Sequence, residues 1–247
     1  MTNAYSTQLT KIPLLKVRVN DVDMREALAM CDEYILSRKP HHIITLDASM
    51  CVMAEHDAKL RKVIEDSDLI TPDSVGVLWA CKRMGKSLRE RVSGVELVEM
   101  LCSLSPEKHY RLFFFGSAPG VAEQAAEKMR LKYPGCEIVG TRNGFFTEKD
   151  NNDIIMQIQN AKPDILCVAL GIPKQEMWIS EHIQTLGVPI CIGVGGTFDV
   201  LSGNVQRAPM WMRKLSIEWL HRLISNPRKI GKVMTLPKFV MLILRQG

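Results

Sequence analysis

The sequence predicts an α/β protein: a largely parallel sheet with helices on both faces, followed by a C-terminal amphipathic helical appendage. Three observations carry this. The second half runs as repeated strand-then-helix units, which favour parallel strands. The segment Asp164–Leu170 is a continuous apolar run, as expected of a strand buried on both faces. Three predicted strands, Arg111–Phe115, Asp164–Leu170 and Val188–Val194, end in glycine-bearing turns. Together these describe a Rossmann-like sheet whose carboxyl edge carries the turns.

Taken in order, Pro13–Val19 reads as a first strand and Asp21–Ser37 as a helix. Asp21-Val22-Asp23 has the spacing of a divalent-metal pair, but acidic residues at a helix start favour the dipole, and capping is the preferred reading. Asp66-Ser67-Asp68 is read the same way, and His41-His42 as surface residues. The strand His42–Leu46 leads into a helix spanning Met50–Glu65, with Thr45 and Asp47 near the turn. A short strand ending at Leu69-Ile70 passes through Thr71-Pro72-Asp73-Ser74 into a helix carrying Val75, Leu78, Trp79 and Met84. Asp73 has two readings: an N-cap, or a carboxylate at a strand's carboxyl end, where ligands of open α/β sheets bind. If the two strands are neighbours, Thr45, Asp47 and Asp73 line one crevice. Arg89, Arg91, Ser93 and Gly94 form a polar segment that brings guanidinium groups near it.

Beyond Arg111–Phe115 comes the turn Gly116–Gly120 and a helix over Val121–Tyr133, then a strand at Glu137–Gly140 and a turn at Asn143–Phe146. Gly171–Glu176 and Gly195–Asp199 follow the next two strands. Free backbone N–H groups in turns around Gly116, Gly171 and Gly195 suit an anionic phosphate, which suggests a nucleotide or sugar-phosphate site. There is no full G-x-G-x-x-G after the first strand, nor an acidic residue about 20 positions on, which argues against a nicotinamide-dependent oxidoreductase. A non-catalytic sugar-nucleotide-binding protein is the other alternative.

Composition narrows the class. The chain has 247 residues, 46% hydrophobic and 24% charged, enough for one sizeable core. Its seven scattered cysteines, without a CxxC pair, argue against a disulfide framework or zinc site and suit a reducing cytosol. No signal-peptide core or 18-residue apolar stretch is evident. Residues 207–247 hold nine basic residues and one acidic, a formal +8 within a chain of +5, leaving 1–206 at −3. In that tail Trp211, Leu215, Trp219, Leu223, Phe239 and Leu242 interleave with the bases, the pattern of a helix lying in a membrane interface. A basic helix packed on the body is the plainer reading. No nucleic-acid recognition motif is present. The organisation expected is a body over 1–206 and an appendage over 207–247. Removing the appendage is expected to leave the body folded, because every sheet unit precedes it.

Five ordered segments resemble the WecG/TagA/CpsF glycosyltransferase family: Leu69–Val77, Arg89–Gly94, Ala169–Trp178, Gly193–Val200 and Arg207-Ala208-Pro209. The resemblance implies a bacterial enzyme that moves a sugar, typically N-acetylmannosamine or its uronic acid, from a UDP donor to an undecaprenyl-diphosphate-linked sugar. It implies inversion without a metal or other cofactor. Asp73 then matches the catalytic base, Thr45 the threonine beside the reacting sugars, and Arg91 and Gln175 polar residues of the pocket. Arg222 matches a tail arginine that reaches the diphosphate when the tail folds over the site. Gly116, Gly171, Gly195 and Asp199 complete the expected substrate-binding set. One departure is Thr45-Leu46-Asp47 where the family commonly has Thr-Pro-Asn: Asp47 adds a charge, removes an amide donor and offers a second candidate base. The expected location is the cytoplasmic face of the membrane, peripherally attached. Neither composition nor pattern decides between a monomer and a homo-oligomer.

Overall fold

The computed structural model describes residues 9–205 and 235–246. Strands β1 (Lys11–Leu14) and β2 (Val17–Asn20) form an antiparallel pair of their own. Six more, β3 (His41–Leu46), β4 (Leu69–Pro72), β5 (Arg111–Gly116), β6 (Glu137–Arg142), β7 (Ile165–Ala169) and β8 (Ile190–Gly193), build the main sheet. Its order is β4-β3-β8-β7-β5-β6, and every pairing is parallel. The expected α/β architecture is therefore present, with β7 central and buried throughout.

The period-2 alternation of the strands sends neighbouring residues to opposite faces. Ile43, Leu112, Phe114, Ile165, Cys167, Ile190 and Ile192 face α1 (Met24–Ser37), α5 (Gly94–Lys108), α6 (Val121–Lys132) and α9 (Thr197–Leu201). On the other face, Phe113, Phe115, Leu166 and Val168 pack under α7 (Asn151–Ala161) and α8 (Lys174–Leu186). Ile44, Leu46 and Ile70 meet the β1–β2 hairpin, α2 (Ala48–Ala54), α3 (Ala58–Asp66) and α4 (Val75–Arg83). All seven cysteines are free, buried thiols within these cores.

The last described helix, α10 (Thr235–Gln246), lies on α2 and α4. Phe239 and Ile243 are fully buried in the same core as Ile44 and Leu46. This part of the tail thus supplies side chains to the core of the body.

Other differences have local causes. The expected strand Pro13–Val19 is broken by Leu15, whose φ of 53° turns the chain into a hairpin. The expected helix Met50–Glu65 is two helices, because Asp57 caps a new start by accepting from the Lys59 and Leu60 amides. Asp23 does cap α1, in a capping box with Glu26. Asp68 does not cap: it accepts from the His42 amide at 2.8 Å and faces His41 Nδ1 at 3.0 Å, fixing the entry to β3. His42 is buried rather than exposed, and burial lowers its imidazole pKa to about 4.

Candidate active site

The carboxyl edge of the sheet collects the candidate residues. In β3 and β4, Thr45 is paired in register with Thr71 and Leu46 with Pro72, so the two strand ends are neighbours as the crevice reading required. The N-cap of α4 is Ser74, not Asp73. The half-buried Asp73 instead accepts a hydrogen bond on Oδ1 from the Gly94 amide at 2.7 Å. That amide opens α5, whose Ser93 cap accepts from the Glu96 amide. The Asp73 amide donates to Leu46 O at 3.0 Å, tying the β4 turn to β3.

Thr45 faces Gly94, where a Cβ would come within 3.2 Å of Thr45 Cγ2. Its hydroxyl donates to Gly193 O at 2.8 Å, joining β3 to the end of β8. Asp47 caps α2: Oδ1 accepts from the Met50 amide and from Ser49 Oγ, each at 2.7 Å. Those local bonds explain an acid at this position without a proton-transfer role. Arg91 Nη2 donates to both carboxylate oxygens of Glu96, at 3.1 and 3.2 Å, while Ser93 Oγ donates to the same group. Glu96 therefore sets the direction of the Arg91 side chain. Ser93-x-x-Glu96 is a recognisable helix-start signal that marks both α5 and this clamp.

Gln175, only 1% exposed, joins the next two turns. Its Oε1 accepts from the Gly171 amide at 3.1 Å and the Gly195 amide at 3.0 Å. Its Nε2 donates to Oε1 of the buried Glu176 at 2.8 Å, which fixes which way round the amide sits. The two glycine amides expected to cradle phosphate are thus engaged by Gln175. The glycines still matter for shape: Gly171 and Gly195 have φ of 80° and 53°, and a Cβ on either would project into open space. Gly193 lies under this pair, where a Cβ would come within 2.8 Å of Gln175 Nε2 and Glu176 Oε1. Asp199, half-buried in α9, holds its carboxylate over Gly196.

Gly116 ends β5 with φ 129°, and a Cβ there would sit 2.4 Å from Ala169 O. The connection leaving β5 runs outward to β6 and that leaving β7 runs inward to β8, so their carboxyl ends flank a topological switch point. Gly144 closes this corner, its amide donating to Ser117 O at 2.8 Å.

A continuous line of contacts follows, from Asp73 through Gly94, Thr45 and Gly193 to Gln175 and the turns at Gly171 and Gly195. Gly116 and Asp199 lie on the same edge. Arg222 lies outside the described residues. Sequence reasoning gave no site role to Gly94, Glu96, Gly193 or Glu176, although Gly94, Glu176 and Gly193 lie in the matching segments and the Ser93–Glu96 spacing marks a helix start.

The description of the WecG/TagA/CpsF glycosyl transferase family matches residues 12–247. This chain belongs to that family. It is therefore a glycosyltransferase, and the resemblance read from the five segments holds over nearly its whole length. Among similar proteins is the N-acetylglucosaminyldiphosphoundecaprenol N-acetyl-beta-D-mannosaminyltransferase of Bacillus spizizenii, 33% identical over 212 residues, covering 86% of this chain and 82% of the relative. The Bacillus subtilis protein of that name is 33% identical over 204 residues, covering 83% and 79%. That of Staphylococcus aureus strain MRSA252 is 27% identical over 248 residues, covering 99% and 96%.

Proposed function

We propose that this family member transfers N-acetylmannosamine, with inversion, from a UDP donor to N-acetylglucosamine carried on undecaprenyl diphosphate. The names of the relatives support the sugar and the acceptor. The observation that carries the mechanism is the Asp73 carboxylate, oriented by the Gly94 amide beside Thr45 at the open edge of the sheet. Asp73 takes the proton from the acceptor hydroxyl as that oxygen attacks the anomeric carbon. Thr45 and Asp199 flank the sugars, and Gln175 shapes the pocket by holding the two glycine turns. Arg91, aimed by Glu96, and Arg222 of the tail neutralise the departing UDP, so no metal ion is needed for that charge.

The acceptor is a lipid, and the enzyme works at the inner leaflet of the cytoplasmic membrane. No helix among the described residues is long and apolar enough to cross a membrane. Attachment is peripheral, through the basic tail. Two described helices support this: α4 exposes Trp79, Lys82 and Arg83, and α10 exposes Lys238, Met241, Leu244 and Arg245. Neither helix contains an acidic residue. Such faces suit anionic lipid.

A panel of UDP-sugars offered with a short-chain lipid-diphosphate N-acetylglucosamine acceptor tests the proposal. UDP-N-acetylmannosamine should turn over fastest. Preference for another sugar, or no turnover with any UDP donor, would overturn it.

A further inference from the structure

Gly94 is a glycine without a backbone reason to be one. It occupies the first turn of α5 just after the Ser93 cap, and its φ lies outside the left-handed region, so any L residue fits the dihedral. What a side chain here would crowd is Thr45. A Cβ at position 94 would stand 3.2 Å from Thr45 Cγ2, 3.5 Å from Oγ1 and 3.6 Å from Cβ. Thr45 has little room to yield, being β-branched and tied through Oγ1 to Gly193 O at 2.8 Å. Gly94 is held as well by its amide, which donates to Asp73 Oδ1 at 2.7 Å, so a shift of the α5 start disturbs that bond. Gly94 thus touches both candidate residues, Asp73 through its amide and Thr45 at the position a Cβ would occupy.

We infer that Gly94 is a positioning residue of the active site, leaving room for Thr45 by having no side chain and orienting Asp73 through its amide. This rests on the reading of Asp73 as the base. Any side chain at 94 transmits its strain to one of two places: the α5 amide moves off the carboxylate, or the Thr45 hydroxyl moves off β8. A shift of a few tenths of an ångström in a reacting constellation corresponds to about a tenfold loss of rate, since about 1 Å costs about a hundredfold.

The test is a double-mutant cycle in the full-length protein with Gly94→Ala, Thr45→Ser and the pair, alongside Asp73→Asn. Serine lacks Cγ2, the atom the new Cβ meets most closely. Gly94→Ala should lower kcat about tenfold, with donor KM changed less than about threefold and the melting temperature within a few degrees of wild type. In the Thr45→Ser background the same alanine should cost less than about threefold, because the contact is gone. A merely structural glycine would instead show lost stability with kcat per folded enzyme unchanged, or the same loss in both backgrounds; either result overturns the inference. Asp73→Asn separates the two levels. If it is inactive while Gly94→Ala is fully active, only the role of Gly94 falls; if it is fully active, the base assignment itself has failed, and the inference with it.

Discussion

Replacing Phe239 by alanine tests whether the C-terminal helix is part of the folded unit. Its ring is fully buried among Ile44, Leu46, Met50 and the α2 and α4 side chains, with Cε1 3.8 Å from where a Gly76 Cβ would be. Truncating a fully buried phenylalanine removes its transfer free energy and leaves a void, at about 3–5 kcal/mol. In a chain of this size 1 kcal/mol corresponds to about 2–4 °C, so Phe239→Ala should lower the melting temperature by about 6–20 °C. Urea unfolding followed by circular dichroism should show the midpoint falling with little change in slope. Deleting everything after Gln206 removes Ile243 as well and should destabilise the body further. Gly76 lies three residues beyond Asp73, so loosening α10 should also reduce turnover. An unfolding free energy within about 1 kcal/mol of wild type would refute this reasoning and return α10 to the status of a separable appendage.

Three further outcomes are expected. His42 protonates near pH 4 in the folded protein because burial disfavours its charge, against about 6.5 in an unfolded chain. The unfolded state therefore binds the proton first as pH falls, and stability present above about pH 6.5 should be lost towards pH 4, on the order of 3 kcal/mol. His42→Leu should flatten that slope in pH-dependent urea titrations, and an unchanged slope would contradict it. Turnover in excess chelator should equal turnover with Mg²⁺ or Mn²⁺; loss that Mn²⁺ restores would require a metal in place of the arginines. Arg222→Ala should cut turnover on a soluble acceptor at least about tenfold while leaving sedimentation with anionic vesicles nearly intact, since one basic residue near the surface contributes only about 1 kcal/mol.

The sheet was legible because its strands are short apolar runs punctuated by glycine, and burial on both faces leaves no other use for such runs. The edge carrying Thr45, Asp73, Gly116, Gly171 and Gly195 followed directly, since parallel strands place all their carboxyl ends together. Strand order was not legible: nothing local says that β7 inserts between β5 and β8. Leu15 turns the chain with φ 53° where neither glycine nor asparagine announces a turn. Asp57 splits a continuous helical pattern by its side-chain bonds alone. At the site, residue identities were readable but their uses were not. Gln175 binds two backbone amides rather than leaving them to an anion, and Asp47 satisfies its own helix start. The role of Gly94 depends on two strands and a helix meeting, which one sequence cannot display.

The most direct measurement of the central claim is turnover by Asp73→Asn with UDP-N-acetylmannosamine and the soluble lipid-diphosphate acceptor, read beside UDP affinity. Asparagine preserves the shape and can still accept from the Gly94 amide, but it cannot take a proton. Turnover should fall by about a hundredfold or more, the scale of a positioned base, while UDP binding stays within about twofold. Near wild-type turnover would contradict the account and leave Asp73 as the residue that seats α5, with the proton acceptor to be sought elsewhere on the edge.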